Sequence, residues 1–253
     1  MIVDQQRRYK SRWAPCGRRE RLQDYYVVRE SVQDYGDYFG CKLDPDGKPR
    51  DRLSDEERRQ FVEDVGYLIE RVNERQPRTV LDFGSGPGWL LGAIDAPCKT
   101  AVEIAPQACE RLFLEGYLLR SDLADVDTHS QDVVIAHHVF EHLADPLYHL
   151  THCRRVLKHD GLFVLATPDF ASPCAMRFGP RYRMLHDPTH CSLFTLESCS
   201  RMLRDWGFEI IGIEFPFPER LATLETFLRW HDRVGVSPPW PGNWMTFFCG
   251  RHH

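Results

Sequence analysis

Thr79-Val-Leu-Asp-Phe-Gly-Ser-Gly-Pro-Gly88 is the stretch of the sequence that says most about the fold. An apolar run leads into Asp82 and then into three glycines at alternate positions, Gly84, Gly86 and Gly88. Glycine accepts positive φ angles and lets a backbone approach a ligand closely, because it has no Cβ. A strand-like run, a glycine-rich turn and a helix-like run are typical of a loop that holds a nucleotide.

Strand-like and helix-like segments alternate on the C-terminal side of this turn. We expect strands at residues 79–83, 99–104, 117–120, 132–136, 161–166, 208–215 and 244–249. Helical patterns between them predict an α/β fold, a Rossmann-like, doubly wound and mostly parallel sheet. Residues 167–194 are expected to be a loop, and a loop of that length in a compact domain usually has a function.

The chain is expected to have two parts. Residues 1–76 form an N-terminal arm and a helical cap, and residues 77–253 form the α/β domain with an insert at 216–242. Ser54 and Glu57 have the spacing of a capping box that begins a helix, which Pro77 ends. We expect the cap to act as a lid that excludes water from the ligand. Ordinary packing of its aromatic residues on the domain is the alternative.

Composition narrows the class of protein. A formal net charge of −5 argues against nucleic-acid binding, although residues 7–21 are locally basic. No apolar run approaches the roughly 20 residues that span a bilayer. The nine cysteines contain no C-x-x-C pair, so we expect free thiols in a reducing compartment and a cytoplasmic enzyme.

Two kinds of ligand are candidates for binding at the glycine turn, a dinucleotide and a nucleoside without phosphate. A dinucleotide needs G-x-G-x-x-G and a close helix, whereas this chain has G-x-G-x-G followed by Trp89. Glu103, at the tip of the second predicted strand, is placed to bind ribose hydroxyls. We therefore favour a nucleoside without phosphate, and a nicotinamide (NAD-dependent) oxidoreductase stays as an alternative.

The sequence resembles the class I S-adenosylmethionine-dependent methyltransferases over residues 79–215, and among them the small-molecule and quinone-type O-methyltransferases. Five segments in the family's order carry this resemblance: residues 80–88, 101–106, 120–123, 131–146 and 155–163. The resemblance implies a seven-stranded sheet whose last strand runs antiparallel. It also implies S-adenosylmethionine as cofactor and S-adenosylhomocysteine as product.

The matched segments imply which residues bind the cofactor. Glu103 would take the ribose hydroxyls, and Asp122 would meet the adenine amino group. The full expected set is Asp82, Gly84, Ser85, Gly86, Gly88, Glu103, Ile104, Asp122, Leu123 and His137.

Three histidines are the candidates for catalysis. His137 and His138 follow the fourth predicted strand, where the resemblance places the methyl group, and a neutral imidazole there can accept a proton. His190 lies in the long loop, and we favour a structural hydrogen bond for it over catalysis. For the first two, the alternative is that they only line the pocket.

The segment His138-Val-Phe-Glu-His142 admits a metal site that we do not expect. A zinc-peptidase H-x-x-E-H needs a continuous helix, which Asp145-Pro146 opposes. Similar quinone-type enzymes carry E-x-x-E-H here with a divalent cation, and His138 in place of the first Glu would favour a softer metal. We favour the alternative that Glu141 and His142 cap a short helix.

The expected function is transfer of a methyl group to a small-molecule or sugar acceptor, at oxygen rather than nitrogen. The main alternative is a non-catalytic S-adenosylmethionine-binding subunit that supports a partner enzyme. The insert 216–242 either walls the acceptor pocket or contacts a second copy in a homodimer, because both uses favour the same aromatic residues.

Overall fold

The fold is known from a computed structural model. The structure describes residues 27–28, 39, 41–43, 49–51, 53–232, 234–240 and 242–252. Most of the predicted N-terminal arm, including its basic stretch at 7–21, lies outside these residues.

A seven-stranded sheet forms the centre of the described chain. Its strands are β1 (Thr79–Phe83), β2 (Cys98–Val102), β3 (Leu118–Arg120), β4 (Gln131–His137), β5 (Leu157–Pro168), β6 (Phe208–Glu214) and β7 (Trp244–Arg251). The strand order is β6-β7-β5-β4-β1-β2-β3. Strand β7 runs antiparallel to both of its neighbours, and the other neighbouring pairs are parallel. The predicted fold class is therefore confirmed.

Helices flank the sheet on both faces, because strands β4 and β5 are apolar on both sides and need cover there. The described helices are α1 (Asp55–Asp64), α2 (Gly66–Asn73), α3 (Trp89–Ala93), α4 (Pro106–Leu114), α5 (Pro146–Val156), α6 (Pro173–Phe178), α7 (Leu196–Asp205) and α8 (Leu224–His231). One apolar core cluster contains Phe140, Phe163 and Phe194, and another contains Leu68, Leu91 and Phe248.

The single helix predicted between Ser54 and Pro77 is wrong, because the chain bends at Val65. There φ is −103° and ψ is 12°, and helices α1 and α2 lie on either side. Gly66 has a low helix propensity, and the bend buries Val65 in the core. The predicted start is confirmed, since the Ser54 side chain accepts a hydrogen bond from the Glu57 amide.

The loop predicted at 167–194 is also more ordered than expected. It contains helix α6, two single turns of 3-10 helix at Gly179–Arg181 and Arg183–Leu185, and the short strand Ser192–Leu193. Ser172 caps α6 by accepting a hydrogen bond from the Ala175 amide at 3.1 Å. Ser172 followed by Pro173 is a helix-start signal that the sequence analysis missed.

Asp132 joins the start of β4 to its two neighbours in the sheet. Its carboxylate accepts hydrogen bonds from the amides of Arg78 and Thr79 at 3.0 and 2.9 Å, and Lys158 donates to it at 2.6 Å. Burial raises the pKa of this carboxyl, but the bonds from Lys158 and Thr79 outweigh that effect and lower it to about 2. The carboxylate therefore stays ionised and aligns β1, β4 and β5.

The described pieces of the N-terminal region form two short antiparallel strand pairs, one of them with the domain. Val27–Val28 pairs antiparallel with Ser192–Leu193, and Cys41–Leu43 pairs with Pro49–Asp51. No helix in the described ranges is long and apolar enough to cross a membrane. Seven cysteines whose side chains are described are free thiols.

Candidate functional site

The glycine loop between β1 and α3 has the backbone that its sequence predicts. Gly84, Gly86 and Gly88 have φ angles of 72°, 52° and 78°, a region that L-residues with a Cβ adopt only under strain. A Cβ on Gly84 would overlap the side chain of Val139. The loop is tied to strand β2, because the Gly84 amide donates to the Val102 carbonyl at 2.8 Å.

Glu103 follows the tip of β2 and holds the same loop. Its Oε2 accepts a hydrogen bond from the Gly86 amide at 2.7 Å, and its Oε1 accepts from the amides of Ile104 and Ala105 at 2.8 Å each. A carboxylate oxygen can accept two hydrogen bonds, so Oε2 keeps one acceptor position beside the loop.

A cavity of about 410 Å³ opens at the carboxyl ends of β1 and β4. The strand order reverses between these two strands, and open α/β sheets bind their ligands at such a point. The cavity is large enough for a small ligand. Of the predicted site residues, those that line it are Asp82, Gly84, Ser85, Gly86, His137, His138 and His190.

The other predicted cofactor residues lie outside the cavity wall. The Ile104 side chain is 63% exposed, and that of Leu123 is buried in the core. Asp122 is exposed and accepts a hydrogen bond from the Ala124 amide at 2.8 Å. Gly88 faces helix α4, since a Cβ there would meet Leu112. Roles for these residues and for Glu103 stay predictions.

Asp82 is a buried acid in the cavity wall. Burial raises the pKa of its carboxyl, and the nearby negative charge of Glu103 raises it further, to about 7. A cation in the cavity would favour the ionised form. This side chain is therefore suited to meet a positively charged group.

His137 and His138 lie at the end of β4 with their ring centroids 4.6 Å apart. Burial, together with the neighbouring His138, lowers the pKa of His137 to about 3, so His137 is neutral and a weak base. His138 has φ of 55°, and its Nδ1 lies 2.9 Å from Oε1 of Glu141. The left-handed backbone at His138 turns its ring toward Glu141.

Glu141 is completely buried beneath this pair. Burial raises the pKa of its carboxyl, but the hydrogen bond from His138 reverses the direction, and the pKa is lowered to about 2. Thr167 donates a second hydrogen bond to Oε2 at 3.1 Å. The expectation that Glu141 and His142 cap a short helix is wrong. Both lie inside the 3-10 turn Phe140–His142, whose capping residues are Val139 and Leu143.

The half-buried His142 and the buried His190 lie beside Glu141, with their ring centroids 4.9 Å apart. Burial lowers the pKa of His142 to about 4 and also lowers the pKa of His190. The Cys191 amide donates to the Glu141 carbonyl at 2.8 Å and so joins the two chain segments. Nδ1 of His190 donates to the Met184 carbonyl at 2.7 Å, and the choice between a structural and a catalytic role for His190 stays a prediction.

Aromatic residues outside the predicted set of site residues also line the cavity, among them Phe39, Phe61 and Trp89. The Phe61 ring meets the His137 ring edge-on at 5.5 Å, and Phe39 lies over Gly86. Trp89 is buried, and its indole nitrogen has no hydrogen-bond partner among the described residues. Phe61 had a signal in the sequence, because its place in the helical pattern predicts an inward-facing side chain. Phe39 is one of the aromatic residues that we expect in the lid.

The protein belongs to the methyltransferase domain family. The sequence model of this family matches residues 55–213, which is more than half of the chain. Its class is that of the S-adenosylmethionine-dependent methyltransferases with a class I fold, and S-adenosylmethionine is the cofactor of this class. No curated protein matches the sequence.

Solved structures with the same fold are distant in sequence. An S-adenosylmethionine-dependent methyltransferase from Archaeoglobus fulgidus has a TM-score of 0.55 at 19% identity, covering 76% of this chain and 93% of that one. A chain from the complex of the Haloferax volcanii Trm112 methyltransferase activator with a methyltransferase has a TM-score of 0.52 at 16% identity, covering 79% and 95%. The [4+2]-cyclase SpnF has a TM-score of 0.53 at 14% identity, covering 76% and 82%. These likenesses show the fold alone.

Proposed function

We propose that the protein transfers the methyl group of S-adenosylmethionine to an oxygen atom of a small-molecule or sugar acceptor. The observation that carries this proposal is the cavity, because the glycine loop and the pair His137 and His138 all line it. Helix α1 and the insert both contribute to its wall, through Phe61 and Pro216. A cavity of this size takes small ligands, so we favour a small acceptor over a macromolecule.

The charged groups of the cofactor would find complementary side chains in this cavity. Its ammonium group would meet Asp82. The indole N–H of Trp89, which has no partner among the described residues, would donate to its carboxylate and so become satisfied. Its ribose would bind Glu103 at the remaining acceptor position. The exposed apolar side chain of Ile104, next to Glu103, offers a surface for the adenine ring.

His138 is the residue that we assign as proton acceptor. The ionised Glu141 can only accept hydrogen bonds, so Nδ1 of His138 carries the proton and Nε2 keeps its lone pair. A base oriented by a buried carboxylate is the usual arrangement for removing a proton from a hydroxyl. We assign His137 to lining the pocket, because a base with so low a pKa accepts a proton poorly at neutral pH.

The test is transfer of a labelled methyl group from S-adenosylmethionine to the components of a metabolite extract, with the product identified by mass spectrometry. The His138→Asn variant keeps a residue that tolerates the left-handed backbone. We expect it to lose about a hundredfold or more in turnover while it still binds S-adenosylhomocysteine. Turnover close to wild type would refute the role of His138.

A non-catalytic S-adenosylmethionine-binding subunit is the second candidate. It is favoured by the likeness to a chain from a complex that includes a methyltransferase activator. In that case the wild-type protein binds the cofactor but labels nothing across a broad extract. Labelling would appear only after the partner enzyme is added.

A homodimer, with the insert 216–242 as its contact, also stays a proposal. Trp230 and Trp240 of the insert stack on each other at 4.6 Å and pack against the core cluster that contains Phe178. Pro216 and Pro218 line the cavity. The insert can therefore form part of the acceptor pocket in a monomer, without contacting a second copy of the chain.

A further inference from the structure

Three metal-ligating side chains meet in the wall of the cavity. The ligand atoms of Glu141, His142 and His190 all lie within 4.8 Å of one another, and all three residues line the cavity. We infer that they form a binding site for one divalent transition-metal ion of the zinc class. The sequence pattern suggested His138 as a ligand beside Glu141 and His142, whereas in the folded chain His190 takes that place.

Both histidines are held in the orientation that a metal ligand needs. Nδ1 of His142 lies 3.3 Å from the Thr189 carbonyl oxygen, and Nδ1 of His190 lies 2.7 Å from that of Met184. A carbonyl oxygen only accepts, so each Nδ1 carries the proton and each Nε2 keeps its lone pair. Metal-ligating histidines are usually fixed by such a bond from the other ring nitrogen.

Glu141 has the support that a ligating carboxylate usually has. It receives hydrogen bonds from His138 at Oε1 and from Thr167 at Oε2, at 2.9 and 3.1 Å. Each carboxylate oxygen can accept at two positions, so one position at each oxygen is left for an ion. Hydrogen-bonded ligating carboxylates are the common case in metal sites.

The set of ligands selects the class of metal. Two imidazoles and one carboxylate suit Zn²⁺ and its first-row neighbours, whereas Mg²⁺ prefers oxygen ligands. Around a tetrahedral zinc ion, ligand atoms lie about 3.3 Å apart. The observed spread of up to 4.8 Å therefore requires side-chain movements of roughly 1 Å. Three protein ligands leave a fourth position open to the cavity, where an acceptor oxygen can bind.

Both a negative and a positive side chain lie near the three proposed ligands. Asp187 places a carboxylate oxygen 3.9 Å from Nε2 of His190 and adds a second negative charge beside the site. Arg183 lines the same cavity and opposes a cation. We expect the two imidazoles and the carboxylate of Glu141 to outweigh Arg183, because direct ligation acts at a shorter distance than the charge of Arg183.

The experiment uses the full-length protein without a polyhistidine tag, treated with a chelator and then titrated with Zn²⁺ or Co²⁺. We expect one tightly bound ion per chain by elemental analysis after dialysis, and a visible absorption band with Co²⁺. The variants His142→Ala and His190→Ala should each bind at least about tenfold more weakly. The variant Glu141→Gln, whose side chain has the same shape, should also bind the metal more weakly. If His190→Ala does not fold, Glu141→Gln tests whether this cluster binds the metal.

The matched control is His186→Ala, because His186 lies in the same loop but its Nε2 faces the Pro180 carbonyl at 3.1 Å. It should bind the metal like the wild type. Absence of stoichiometric binding by the wild type would overturn the inference, and so would equal binding by Glu141→Gln and His142→Ala. Because metal is measured without methyl transfer, the inference and the proposed function fail independently.

Discussion

Asp82 lies at the end of β1 with its carboxyl group in the cavity and its pKa raised to about 7 by burial and by Glu103. A carboxyl group with that pKa changes charge within the physiological range. Its ionised form attracts the ammonium group of the cofactor, and its protonated form does not. Cofactor affinity should therefore fall as the pH falls through 7.

We expect the affinity for S-adenosylhomocysteine to fall about tenfold between pH 8 and pH 6, because roughly a tenth of the Asp82 side chains is ionised at pH 6. Calorimetry at both values measures this change. The Asp82→Asn variant is the control for titration of the ligand itself, and its affinity should vary less with pH. Equal slopes for the two proteins would contradict the assignment of Asp82.

Trp89 offers a second prediction for a single residue. Trp89→Phe removes a buried donor without a partner among the described residues, so the free energy of unfolding should stay the same or rise. The affinity for S-adenosylhomocysteine should fall about tenfold or more, because a hydrogen bond to a charged acceptor contributes about 1.5–3 kcal/mol. Urea unfolding and calorimetry measure the two effects.

The control for Trp89 is Trp206→Phe. The indole of Trp206 donates to Thr151 Oγ1 at 3.2 Å on an exposed part of the surface. This variant should keep its affinity for the ligand. A Trp89→Phe protein that is less stable and binds normally would show that the indole is structural.

At the scale of an element, the turn from β1 to α3 has two requirements that glycine meets. Gly84 has a positive φ, and a Cβ there would overlap Val139. Gly116, after helix α4, has φ of 81°, and no atom of the part of the chain that the structure describes lies within 4 Å of its Cβ position. Substitutions at these two glycines can therefore be compared to distinguish the effect of backbone strain from the effect of close packing.

We expect Gly116→Ala to destabilise the fold by about 1 kcal/mol through strain alone. Gly84→Ala should destabilise it by roughly 2–4 kcal/mol, because overpacking adds to the strain. Only Gly84→Ala should also weaken the binding of S-adenosylhomocysteine. Equal losses of stability in urea unfolding would show that the contact with Val139 does not constrain the turn.

The whole molecule should be stabilised by its cofactor product. A ligand present at a hundred times its Kd adds about 2.7 kcal/mol to the free energy of unfolding. For a chain of this length that amounts to an increase of about 5–10 °C in Tm. We expect S-adenosylhomocysteine to give this increase in a thermal-unfolding experiment and NAD to give none. The reverse result would favour the oxidoreductase.

The sequence by itself determined the class of the fold, the glycine turn and the family. These are local properties: strands and helices follow from periodicity, and a turn with positive φ follows from glycine. For the same reason the start of α1 at Ser54 could be predicted. The bend at Val65 could not, because burial of that side chain depends on the rest of the core.

Only the tertiary structure decided the composition of the site. Glu141 and His190 are far apart in the sequence and meet because the Cys191 amide bonds to the Glu141 carbonyl. The raised pKa of Asp82 and the burial of the Trp89 indole depend likewise on what the fold removes from water. Burial and long-range hydrogen bonds are properties of packed elements, and the local pattern of one strand or helix does not contain them.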